Sequence, residues 1–195
     1  MTEIGDWPVQ LAGISECIVT TEQPNGQWNL SALGLIGGEP ATATTWGNTR
    51  TKRNFERTGI GFIQFTQSTT DFVAAALDVL EFDEPILPAS DAWVKVTVQE
   101  TERGTKNGTT WTSWQLDPVQ GKVVRQTVPV LNRGTAAVIE ATVAASRLDV
   151  NAYDVTTLLG NLQRQQSIVE RCGREEDKEA FERLTALTGW DRRNE

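Results

Sequence analysis

The sequence predicts an α+β protein, an antiparallel β region followed by three helices, and two patterns carry that reading. Residues 13 to about 130 alternate apolar and polar with period two between Gly, Pro and Asn punctuation, the signature of half-buried strands. Residues 132–190 place apolar side chains three and four apart, as amphipathic helices do. The boundary predicts a strand-built domain over 1–130 and a helical subdomain over 131–195.

The first strand is expected over Ile14 to Thr21. Pro24-Asn25-Gly26 then reads as a hairpin turn, because Asn-Gly readily adopts the positive φ that such turns need. Trp28 to Ile36 returns as the second strand, and the threonine-rich Ala41 to Trp46 is the third. Thr51 to Arg57 predicts a short polar helix stopped by Gly59. Ile60 to Thr66 is the fourth strand, with Ile60, Phe62 and Gln64 on one face. Thr70 to Leu80 is a second helix capped by Thr69. Ala92 to Glu100 alternates cleanly, Glu102 to Thr109 forms a turn around Asn107-Gly108, and Trp111 to Leu116 is the antiparallel partner. Val123 to Val130 reads either as a last strand or as an irregular connection. The tail divides at Arg133 to Leu148, at a segment marked by Val155, Leu158, Leu159, Leu162 and Val169 and ended by Gly173, and at Ala180 to Trp190.

Composition excludes several functions. The 195 residues contain no histidine, which removes Ser-His-Asp and Cys-His catalysis, a histidine general base and histidine metal ligands. Cys17 and Cys172 are too far apart for a Cys-x-x-Cys pair, and two thiols alone build no zinc site, so no metal is expected. They read as reduced cysteines. A net charge of −8 disfavours nucleic acid as a partner. No apolar run reaches the length of a membrane span, and Met1 to Gln10 lacks a basic-then-apolar leader pattern. The expectation is a soluble, cytoplasmic protein.

The chemistry concentrates in Trp46-Gly47-Asn48-Thr49-Arg50-Thr51-Lys52-Arg53-Asn54-Phe55, which leaves a strand, turns at Gly47 and enters a helix. A helix N-terminus offers unpaired N–H groups and partial positive charge, the elements of a phosphate site. Thr49 and Thr51 add hydroxyls, Arg50 can grip two phosphate oxygens, and Asn54 lies one turn beyond Thr51 on the same face. Arg50, Lys52, Arg53 and Arg57 gather four positive charges within eight residues of an acidic chain. The glycine spacing of a Walker loop or dinucleotide fingerprint is missing. The same pattern also fits a solvated basic helix face. Thr66-Gln67-Ser68-Thr69-Thr70-Asp71 forms a second hydroxyl cluster at a helix start. Asn29-Leu30-Ser31-Ala32-Leu33-Gly34 is small enough for a flat ring to approach its backbone.

Glu16-Cys17-Ile18-Val19-Thr20-Thr21, Asn29 to Gly34, Arg50 to Phe55, Asp91-Ala92-Trp93 and Val138-Ile139-Glu140-Ala141, in this order and spacing, resemble the DUF447 family, a group of archaeal and bacterial proteins related to flavin-reductase-like split barrels. The resemblance spans nearly the whole chain. It implies a split β-barrel of the FMN-binding type and a homodimer with an FMN in each subunit, near the interface. It places the phosphate on Arg50, Thr51 and Asn54, with Thr49 beside them. The isoalloxazine edge falls against the backbone at Asn29, Ser31 and Ala32, with Thr66 and Thr69 reaching ribityl or phosphate oxygens. Trp93 is read either as lining the cavity or, in preference, as a core residue. Several relatives carry a histidine after the Asn-Arg pair that opens the tail; here Asn132-Arg133 is followed by Gly134-Thr135, so any role of that histidine is absent or lost. No side chain stands out as acid or base, and no catalytic residue is assigned. Three functions stay open: a flavin-dependent oxidoreductase, a flavin carrier or regulatory binding module, and a structural dimer without ligand.

Overall fold

Seven strands form one antiparallel sheet in the computed structural model, which describes residues 6–128 and 130–193. They are β1 (Ile14–Glu22), β2 (Trp28–Ile36), β3 (Ala41–Trp46), β4 (Ile60–Phe65), β5 (Glu81–Phe82), β6 (Ala92–Lys106) and β7 (Thr109–Val123). The hydrogen-bonded order β1-β4-β6-β7-β3-β2 closes on itself because β1 also pairs with β2, giving a six-stranded barrel. The short β5 adds to β2 at Trp28 and Asn29. The Asn25-Gly26 turn fixes the first hairpin: Gly26 has φ 84°, and Glu22 faces Trp28 with Thr21 opposite Asn29.

Alternation decides what fills the barrel. Cys17, Val19, Leu33, Leu35, Ile63, Val94, Val96, Trp114 and Leu116 share one buried cluster. Each large member contributes about 1.5–3 kcal/mol by leaving water. Cys17 is one of two unpaired cysteines; its thiol donates to the Leu33 carbonyl, and burial raises its pKa well above the ordinary value. Helix α1 (Arg50–Thr58) covers this cluster with Phe55, whose ring meets Trp114 at 5.3 Å. Gly61 makes room for that ring, since a Cβ there would lie 2.9 Å from it. Trp93 is absent from the cluster. It sits partly exposed on the outer face in a row of rings, Trp28 to Phe62 at 5.3 Å and Phe62 to Trp93 at 6.0 Å.

The β6–β7 hairpin is longer than the sequence pattern suggests. Both strands run 15 residues and meet at a two-residue Asn107-Gly108 turn with φ 50° and 81°. The region read as a turn, Glu102 to Thr109, is mostly strand. The reason is local. Register shifts occur between Glu100 and Glu102 on one strand and opposite Lys95/Val96 on the other, where Val119 is the extra residue. Such bulges break period-two alternation and bend the strand. Inward positions are Thr112, Trp114 and Leu116 before Val119, and Gly121 after it. Beyond Val123 the backbone has no regular structure through Val128.

Among the described residues, a second compact unit comprises 68–79, 128 and 130–193, the first comprising 6–67 and 80–127. Its helices are α2 (Thr69–Leu77), α3 (Arg133–Ala145), α4 (Val155–Cys172) and α5 (Glu175–Thr188), followed by a 3-10 turn at Trp190–Arg192. Helix α2 therefore groups with the tail although it precedes three of the seven strands. Its cap is Ser68, which accepts from the Asp71 N–H, and Thr69 is the first helical residue, not the cap. Asn132 and Asp154 cap α3 and α4 in the same way. The core joins Val73, Val138, Ala141, Leu158, Leu162, Phe181, Leu184 and Trp190. No helix among the described residues is long and apolar enough to cross a membrane.

Two contacts lock this unit. Gly134 touches Gly173 so closely that a Cβ on Gly134 would fall 2.3 Å from the Gly173 Cα. Asp177, at 0 % exposure, accepts hydrogen bonds from Thr69 (3.1 Å), Thr135 (3.2 Å), Arg174 Nε (3.0 Å) and the Arg174 N–H (2.9 Å). It thereby ties α2, α3 and α5. Burial raises the Asp177 pKa, but the Arg174 and Thr69 hydrogen bonds outweigh it and hold the carboxyl below the ordinary value of 3.8.

Asp177→Ala should cost about 2–4 kcal/mol in urea unfolding, because the Thr69, Thr135 and Arg174 donors lose their buried acceptor. For the intact protein the Asp177 contribution is complete above the unfolded aspartate range near 3.8 and is lost as pH falls through the lower folded value. Gly134→Ala should destabilise by about 2–3 kcal/mol. Gly160→Ala, where a Cβ meets nothing within 4 Å, should instead stabilise by about 0.5–1 kcal/mol, with both read as shifts of the urea midpoint.

Candidate functional site

The turn from β3 into α1 is set by three residues. Gly47 takes φ 68° and donates its N–H to Thr110 of the neighbouring β7, anchoring the turn to the barrel. Thr49 is the N-cap, with extended backbone and a hydroxyl that accepts from the Lys52 N–H at 3.2 Å. Gly59, at φ 64°, ends the helix. The capping hydroxyl takes one of the N–H groups that have no intrahelical acceptor, and those of Arg50 and Thr51 also precede the first helical carbonyl.

Beneath this turn lies a buried polar layer. Thr51 donates its hydroxyl to Ser31 at 2.8 Å; the Asn29 amide reaches Ser31 at 3.2 Å and Thr51 at 3.4 Å. One helical turn on, the Asn54 amide donates to the Thr21 hydroxyl at 3.0 Å. Thr21, Asn29, Thr51 and Asn54 are all buried. The first hairpin register puts Thr21 directly opposite Asn29, so one strand pair supplies the acceptor for Asn54 and a donor to Thr51. Asn29 and Ser31 point toward α1, whereas Ala32, between Ser31 and the core residue Leu33, faces the other side of the sheet and pairs with Ile18.

The charged part is more open. Arg50, the first helical residue, donates Nη1 to Glu81 at 2.8 Å, with side-chain exposures of 39 % and 33 %. Gln23, and Arg50 after it, hold the Glu81 carboxyl below the ordinary glutamate range. Lys52 pairs with Glu56 along the helix, Arg53 donates to the Asn48 carbonyl, and Arg57 reaches the Glu22 carbonyl from the last turn. The first turn of α1 carries no acidic residue.

Asn29, Ser31, Thr49, Arg50, Thr51 and Asn54 therefore gather in one place. Thr66 lies at the end of β4, where its hydroxyl donates to the Ala89 carbonyl at 3.0 Å. Thr69 belongs to the helical unit and is held by Asp177. Two neighbours of the cluster escape sequence inspection. Thr21 was available from the hairpin register, which follows from the Asn25-Gly26 turn. Glu81 lies in an acidic run, Glu81 to Glu84, that no period distinguishes. Among the described residues, no group of three His, Cys, Asp or Glu side chains is arranged to hold a metal ion.

The comparisons fit this architecture. The N-terminal profile of the family described as "Protein of unknown function (DUF447)" matches residues 15–125, and its second profile matches residues 132–186. No curated protein matches the chain. An FMN-bound protein of the same family from Methanosarcina mazei has a similar structure, with a TM-score of 0.75 at 22 % identity, over 91 % of this chain and 96 % of that one. The flavin reductase of styrene monooxygenase from Pseudomonas putida is similar over 58 % of this chain and 79 % of its own, at 12 % identity and a TM-score of 0.41. The α+β split barrel with its helical segment is the fold expected from the sequence, and the chain belongs to the DUF447 family.

Proposed function

We propose that this chain is a flavoprotein that holds FMN by its phosphate at the start of α1. The observation that carries the reading is the reversed charge of that helix end. Helix N-termini favour carboxylates, and α5 obeys with Glu175, Glu176 and Asp177 in its first turn. Helix α1 has Arg50 and Lys52 there and no acid. Cations at the positive end of a helix dipole repel it, and an anion bound between them removes that penalty. The donor set suits a phosphate monoester: a guanidinium, a neighbouring hydroxyl and helix-end N–H groups. That a family member of the same fold binds FMN supports the choice of anion.

In this reading Arg50 and the first N–H groups of α1 contact the phosphate. Thr49 stays as the cap beside it. Thr51 and Asn54, engaged with Ser31 and Thr21, seat the helix so that its N-terminus is correctly aimed. The backbone at Asn29, Ser31 and Ala32 borders the ring, and Thr66 reaches toward ribityl or phosphate oxygens. When bound, the flavin supplies hydride or electron transfer, and the protein's part is to bind, orient and shield it. The family resemblance extends the proposal to a homodimer with the site near the interface. Exposed apolar residues Val128, Val130 and Leu131, at 86 %, 80 % and 104 %, support association.

The purified protein should show flavin absorption in the visible, and mass spectrometry of the released chromophore should give FMN. Arg50→Ala should weaken FMN binding by about 1.5–3 kcal/mol, the scale of a charge-assisted hydrogen bond, and leave the melting temperature nearly unchanged. Arg57→Ala, at the far end of the helix, should weaken it much less; equal losses in the two variants would rule out the clamp. Asn54→Ala should do the converse of Arg50→Ala, lowering stability by about 1–3 kcal/mol through the orphaned Thr21 hydroxyl.

A further inference from the structure

The exposed guanidinium beside the start of α1 is already paired with an anion that belongs to the protein itself. The Glu81 carboxylate takes the hydrogen bond from Arg50 Nη1 at 2.8 Å, and the side chains of Gln23 and Asn25 stand beside the same carboxylate. Glu81 reaches this position because β5 sets it opposite Asn29, a member of the buried polar layer beneath the turn. Its attachment is slight. The strand is two residues long, with the pairs Trp28–Phe82 and Asn29–Glu81 and one long backbone hydrogen bond, Leu30 N–H to the Leu80 carbonyl at 3.4 Å, beside them. The ion pair is exposed on both sides, and such pairs open at little cost.

We propose that Glu81 is an internal stand-in for the phosphate, competing with it for Arg50, so that FMN enters by displacing the Arg50–Glu81 pair and is held exchangeably. This rests on the FMN reading above. The physical basis is that one guanidinium cannot serve two anions without their mutual repulsion. A carboxylate that stays ionised at neutral pH therefore taxes any phosphate bound at Arg50. Because a flavin without a phosphate makes no claim on Arg50, the tax falls on FMN and spares riboflavin. Glu81 thereby sets both the residence time of FMN and its advantage over riboflavin.

The test is flavin-fluorescence titration and dissociation kinetics of FMN and riboflavin on the full chain, comparing the wild type with Glu81→Gln, Arg50→Ala and the double variant. Glu81→Gln keeps the shape and removes the charge. It should tighten FMN about three- to tenfold, mostly through slower dissociation, the size expected for losing one exposed like charge. Riboflavin affinity should not change, and the gain should vanish in the Arg50→Ala background. Unchanged or weaker FMN binding by Glu81→Gln, with FMN still bound by the wild type, overturns the competition and leaves the flavin reading standing; Glu81 would then orient Arg50. A gain that persists without Arg50 also overturns it. Failure of every variant to bind FMN overturns both.

Discussion

The buried polar layer between α1 and the first hairpin is the constraint on which the site depends. Thr51, Ser31 and Asn29 form one hydrogen-bonded set, and Asn54 with Thr21 forms the next. Each polar group there has left water, and each would be costly without its partner. The layer therefore permits one placement of the helix on the barrel, while Phe55 supplies the apolar weight below it. Directional bonds fix where the helix N-terminus points, and packing fixes how firmly. A phosphate site made from backbone N–H groups needs both, because those groups cannot be re-aimed one at a time.

This division of labour separates residues that the sequence presents as equals. Arg50, Thr51 and Asn54 stand within five positions and all look like ligands. Two are buried in hydrogen bonds to the barrel, and only the arginine keeps a substantial exposed surface. The distinction is one of helical phase. Thr51, Asn54 and Phe55 share the inward face, and Arg50, Arg53 and Arg57 face outward. A helix that seats on a barrel through a buried polar layer carries polar residues inward as well as outward, which is why α1 lacks the apolar stripe of α4.

Much of the fold was legible because turns and alternation agree. Asn25-Gly26 fixed the first hairpin, and the helical tail is written in its three- and four-residue spacing. The failures have local causes. The last two strands seemed to stop at Glu100 and Leu116 because alternation ends at the bulges near Thr101 and Val119, although pairing continues. The strand β5 is too short to have a period. Thr69 looked like a cap because it is a threonine beside a helix, but Ser68 holds the position from which a hydroxyl reaches the Asp71 N–H. Helix α2 joins the tail helices through Val73 and Thr69, a partnership 60 residues or more distant in sequence, which no window can see. Trp93 lies outside rather than in the core because it alternates with the buried Ala92 and Val94.

The paired bulges have a consequence for how this hairpin can change over time. Each adds one residue to a different strand, so the two arms reach the Asn107-Gly108 tip with equal length. A single lost residue at Val119 would exchange lumen for solvent along the rest of β7 or throw the tip out of step. Deletions in this arm should therefore survive in compensating couples, one on each strand, and length variation between relatives should be even-numbered here and unconstrained in the connection that follows Val123.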